Sequence, residues 1–447
     1  MFGLGRTEAA VDVNAHTNPA ERSNFPSTQT STHNINRLRP ALPPSKVTMS
    51  RLHADFMRAA RRGRVCSIER LVNLGVEVDD RDSKGKTAIM RASSKGNVDV
   101  VKRLMKLGAD VDCADSRGDT ALLKALYRGH FDVVRCLVEG GANIDHVNER
   151  GETALIWAAT REGRKAELVD LLVALGANID QTNKDGDTAL TLAVKHPYHN
   201  ALKVVDRLVQ LGANIDHRNS RGNTALMEVF GELYQSNRWV AKLAFRLVEL
   251  GADIEKTDHR GNTVLMQLAQ QGHFYLVNDF VKLGANIHHE NESGETAMTK
   301  ASSEGHFYVV TSLAESGANI DHVNRFGQTP FLTASTRGQT HVLELLKNLG
   351  ADINHTDSNG DNAITLAARR GSLFTVNWLA THGCNVAHAN NRGDTALVMV
   401  ATQPLEYDFA HRLHYQNGHR QGTLNLLLEH GADKEQGSEF GIIPAVV

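Results

Sequence analysis

Apolar and polar positions along most of this chain follow a helical period. Between residues 98 and 105 the apolar side chains stand at Val98, Val101, Leu104 and Met105, the three-to-four-residue spacing of a helix that buries one face. Upstream, Thr87 precedes a short run from Ala88 to Ser94 and offers a hydroxyl where a helix N-cap needs an acceptor. Gly96-Asn97 makes a turn between the two predicted helices, and Gly108 suits the left-handed residue that ends the second. This block recurs. A Gly, a small residue and an acid or Asn return at Gly75, Gly108, Gly141, Gly176, Gly212, Gly251, Gly284, Gly317, Gly350, Gly383 and Gly431, most often 33 residues apart. A second marker, Gly-x-Thr-Ala-Leu or a close variant, runs in phase from Gly85 to Gly393. Such a period predicts a solenoid, because one unit cannot bury its apolar face alone and stacked neighbours can.

The first 50 residues lack this period. They are rich in Ser, Thr, Asn and Pro, and five of the nine prolines fall before residue 45. Such a segment cannot bury enough surface to offset its ordering entropy. Residues 1–50 are therefore expected to form a disordered tail, and 51–447 the repeat domain. The 49 Lys and Arg against 51 Asp and Glu leave a net charge of −2, so no basic field points to nucleic acid. Four scattered cysteines, Cys66, Cys113, Cys136 and Cys384, form neither a disulfide framework nor a zinc module. No apolar stretch matches the roughly 20 residues of a membrane-spanning helix. The first residues lack the basic and apolar regions of a secretory signal. A cytoplasmic monomer with no membrane insertion is the expectation.

Those two markers make the chain resemble the ankyrin-repeat family, over roughly residues 52–447. The likeness covers eleven repeats and a truncated start, Phe440-Gly441-Ile442-Ile443-Pro444. The family's Thr-Pro-Leu-His box is altered: Pro survives only at Pro330, and the box His gives way to residues such as Met90, Leu123, Ile156 and Thr299. The resemblance implies an all-α ankyrin-repeat solenoid with a concave groove. It also implies a non-enzymatic scaffold or adaptor that binds a protein partner, without cofactor, metal or catalytic residues.

The repeats leave the 33-residue register in four places, at 161–165, 195–200, 231–240 and 403–420. Three are in consecutive repeats, so stacking sets them side by side, and insertions on one face of a solenoid often mark its binding face. Trp157 occupies a position held elsewhere by Arg91, Lys124, Glu228, Gln267 and Lys300, while Tyr198, Phe230, Tyr234 and Trp239 lie in or beside the insertions. Central aromatics dominate interface energies. These five are the candidate partner-binding residues, and Phe230 and Trp239 have an alternative role as fillers of the enlarged turns.

Other motifs carry less. His411, His414 and His419 share the last insertion, but a zinc site needs further ligands that are not evident there. His146, His217, His289, His322, His355 and His388 recur in the hairpins and are expected to be solvated. Arg117-Gly118-Asp119 and Gly85-Lys86-Thr87 follow from the repeat and need no adhesive or nucleotide-binding role. A second functional expectation is a bacterial effector exported into a eukaryotic host cell, acting in host cytoplasm on a host protein.

Overall fold

The structure, a computed structural model, describes residues 46–161, 165–195, 201–231, 238–402 and 413–433. The chain divides into two units, Met1–Met49 and Ser50–Val447, and the architecture described here is that of the second. The described residues form twenty-two helices in eleven pairs. The first pair is Lys46–Arg62 with Val65–Asn73, and the last is Ala396–Thr402 with Leu413–Glu429. Among the described residues there is no strand, only one isolated bridge between Ala389 and Thr395. First helices pack on first helices of the next repeat and second helices on second helices, which makes an all-α repeat solenoid. The opening helix begins at Lys46, inside the segment expected to lack structure.

The sequence markers each have a physical task. Thr120, Thr153, Thr224, Thr263, Thr296 and Thr329 accept a hydrogen bond from the backbone N–H three residues on, and Asn362 does the same. This satisfies one orphan donor at each helix start. Thr87 departs from the expectation: its side chain makes no cap bond and its buried hydroxyl has no partner. Gly108 takes a φ of +87°, a conformation a Cβ would strain.

Hairpins are closed by one side chain per repeat. Asn148 Oδ1 accepts from the N–H groups of Arg150 and Glu152, and Asn324 from Phe326 and Gln328. A second set of bonds ties each hairpin to the one before. The Asn143 N–H donates to Asp112, Asn178 to Asp145, and Asn214 to Asp180. The hairpin histidines belong to this set, and solvation is not their role. Nε2 of His146, His217, His289, His322, His355 and His388 lies 2.6–3.0 Å from the carbonyl of a glycine in the preceding hairpin. A carbonyl only accepts, so Nε2 carries the proton.

The insertions begin at or after the end of the first helix of a repeat, and that of 231–240 runs into the second helix, Arg238–Glu249. The last is also partly helical: Leu413–Glu429 runs for 17 residues. One continuous core of Ala, Leu, Val, Ile and Met links all repeats, with Phe56, Phe230, Phe280 and Phe331 as its largest fully buried rings.

Candidate functional site

First helices and hairpins together present one face, and its polar side chains converge at repeats 3 and 4. Lys124 reaches both Asp115 (2.8 Å) and Asp119 (2.5 Å). Asp119 also accepts from Tyr127 Oη and from Asn148 Nδ2, at 3.0 and 2.8 Å. Burial pushes the Asp119 carboxyl up, but Lys124, Asn148 and Tyr127 outweigh it and hold the group below its ordinary range. Tyr127 goes the other way: burial and the charges of Asp119 and Glu152 drive its phenol up. Arg150 bonds to Tyr127 Oη and to Glu152, both at 2.9 Å, and its guanidinium carbon lies 5.5 Å from the Tyr127 ring centre. The Trp157 ring packs against Tyr127 at a centroid distance of 5.3 Å. Trp157 is half-buried, so it presents a fixed indole flank on this face.

Two repeats further on, Glu228 anchors a second network. Its carboxylate is 1% exposed and accepts from Asn219 (2.7 Å), Asn223 (3.0 Å) and Arg221 (3.1 Å). Lys195 lies 3.4 Å away and is shared with Asp187 at 2.7 Å. A lone buried carboxylate would be costly. With these partners it fixes the hairpins of repeats 5 and 6 to the first helices.

A family model of ankyrin repeats, three copies long, matches seven overlapping stretches between residues 56 and 438. The chain belongs to the ankyrin-repeat family. No curated protein sequence matches it well enough to be called a relative. Ankyrin repeats commonly mediate protein–protein interaction, and the family is typically non-enzymatic.

Within this ankyrin stack the expected aromatics go separate ways. Trp157 is on the first helix of repeat 4. Phe230 is 2% exposed and meets Phe280 edge-on at 6.1 Å, so it fills the enlarged turn and packs the core. Trp239 belongs to the second helix of repeat 6 and is 38% exposed, with Lys242 Nζ 5.4 Å from its ring centre. It opens a groove of about 860 Å³ between second helices, lined also by Leu202, Asp206, Phe245 and Arg246. Two of the ankyrin aromatics, Tyr198 and Tyr234, lie outside the described residues, as do the side chains of His411, His414 and His419.

Tyr127 escaped the sequence reading. The signal was available: it is an aromatic at the position held by Lys195, Gln270 and Arg369 in other repeats, one helical turn from the Trp157 column. None of the described helices of this ankyrin protein is long and apolar enough to cross a membrane.

Proposed function

We propose that the chain is a non-enzymatic scaffold or adaptor that holds a protein partner in the groove formed by its first helices and hairpins. The observation that carries this reading is the Tyr127–Trp157 pair. Most equivalent positions are polar, yet here a partly buried indole stands on this face, packed on a tyrosine whose hydroxyl is bound by Asp119, Asn148 and Arg150. An anchor held in place before binding loses little freedom on association, and Trp and Tyr are the residues that most often dominate interface energies. The carboxylates around it are engaged with cations and amides, which suits a structural role for them. Trp239 opens onto the second-helix side and would serve a separate contact.

Affinity capture with mass spectrometry tests this, using wild type, Trp157→Ala and Trp239→Ala, each with its far-UV circular dichroism verified. The expected result is a partner captured by wild type and Trp239→Ala and lost with Trp157→Ala. Equal capture by all three would refute the anchor.

A further inference from the structure

One position near the start of the second helix is exposed in several repeats, and its chemistry changes along the stack. Repeats 2 to 4 carry Asp99, Asp132 and Glu167 there, acids that suit the positive end of a helix dipole. Repeats 7 to 10 carry Tyr275, Tyr308, His341 and Phe374. The two tyrosines and the phenylalanine are 77%, 71% and 75% exposed. These rings form a ridge with the residues before them: Phe274 lies 6.1 Å from Tyr308, and Phe307 6.5 Å from His341. His341 Nε2 donates to Gly305 O at 2.8 Å, which sets the ridge beside the turns that end the first helices.

We propose that this ridge is the interface of a homodimer with two-fold symmetry, in which repeats 7 to 10 of one copy lie antiparallel on repeats 7 to 10 of another. The occupant follows from charge. At the ends of the first helices of these repeats stand, in order, Gln271, Glu304, Arg337 and Arg370. A two-fold axis between repeats 8 and 9 sets Glu304 of each copy opposite Arg337 of the other, and Gln271 opposite Arg370. Among the described residues, no close salt bridge engages Glu304 or Arg337, although the Arg337 charge also acts on Glu295. The ridge is self-complementary in the same operation, with Tyr308 meeting His341 and Tyr275 meeting Phe374. An isologous contact requires this pairing of i with j and j with i. The net charge of −2 gives little long-range repulsion between copies.

A large aromatic side chain buries about 150–250 Å². Three rings at three-quarters exposure therefore bring roughly 350–550 Å² per copy, below the about 800 Å² per partner of a standard interface. His341, Phe307 and the charged turns supply the remainder. The dimer is accordingly weak, with a Kd on the order of 1–100 µM.

Sedimentation velocity on the full chain, across about 1 to 200 µM, tests the proposal. Wild type is expected to shift from monomer to dimer mass as concentration rises. Tyr308→Ser with Phe374→Ser is expected to stay monomeric, with an unchanged far-UV spectrum. Glu304→Arg and Arg337→Glu are each expected to raise Kd about tenfold, and the two together to restore it, because the swapped pair is again opposite in sign. A wild type that stays monomeric throughout would overturn the proposal. So would a dimer indifferent to the ring variant, or a charge swap weaker than either single reversal.

Discussion

Removing the Glu228 side chain is the most direct test of how the groove networks hold this stack. The carboxylate is 1% exposed, and Asn219, Asn223 and Arg221 all donate to it within 3.3 Å. In Glu228→Ala, Arg221 is 65% exposed and rehydrates at small cost. Lys195 keeps Asp187, and Asn219 keeps its 2.8 Å bond to Asp187. The unrecovered loss is the two amide bonds to a charged acceptor, at about 1.5–3 kcal/mol each, and the methylenes removed from a packed site. A destabilisation of about 3–5 kcal/mol follows. Glu228→Gln retains an acceptor oxygen and the volume, and is expected to cost about 1–2 kcal/mol. Glu249→Ala is the control: that carboxylate is 63% exposed and pairs with Arg246 at 2.8 Å, which predicts less than about 1 kcal/mol. Urea unfolding followed by circular dichroism gives the totals. Hydrogen exchange gives the location, since repeat stability is a sum of neighbour terms and the loss must concentrate in repeats 5 and 6. If Glu228→Ala costs no more than Glu249→Ala, or if protection falls evenly along the chain, the buried network is not what secures these hairpins.

Four other outcomes are expected. Asp119 has a folded-state pKa below its ordinary 3.8, so its contribution is complete above that value and disappears as pH falls through the folded pKa; the stability gap between wild type and Asp119→Asn, read by urea midpoints, should narrow below about pH 4. Cys113, Cys136 and Cys384 are buried, and burial pushes their thiols up, Cys384 to about 11, while Cys66 is exposed; a native thiol titration should find Cys66 alone reactive, and denaturant should release all four. His322→Ala removes the 2.8 Å bond to the Gly294 carbonyl and should cost about 1 kcal/mol in thermal or urea unfolding. Thr87→Val should be neutral or stabilising by the same assay, because the hydroxyl it removes is buried without a partner, whereas Thr296→Val should cost about 1 kcal/mol through its lost cap.

Much of the fold was legible in the chain because the repeat states its own rules many times over. A Gly at a fixed distance from a Thr, seen once, means little; in phase about ten times, it dictates helix starts, helix ends and period. The insertions were legible as departures from that phase. Side-chain fate was harder to read. Phe230 and Trp239 flank the same insertion, yet one is in the core and the other lines a groove, since the direction of each depends on how the enlarged turn returns to the stack. Tyr127 was missed because its importance comes from partners a repeat away, Asn148, Arg150 and Trp157. The hairpin histidines looked like solvated residues for a related reason: the glycine carbonyl that each one binds is about a repeat earlier in sequence, at a position that any backbone supplies.

Most of those stitches between hairpins point one way along the chain. In these, the later repeat brings the donor and the earlier one supplies the acceptor: His355 to Gly327, Asn178 to Asp145, and the N–H of Glu149 to the carbonyl of Arg117; Arg81, which donates forward to the Ala114 carbonyl at 2.9 Å, is an exception. Synthesis on the ribosome runs in the same direction. A nascent stack therefore offers the next repeat mainly carbonyls and carboxylates, groups that water satisfies readily while they wait, rather than a row of unpaired backbone N–H groups. Each arriving repeat carries its own fasteners to a surface already in place, so assembly can be vectorial, proceeding repeat by repeat from Lys46 without rearranging what has already formed.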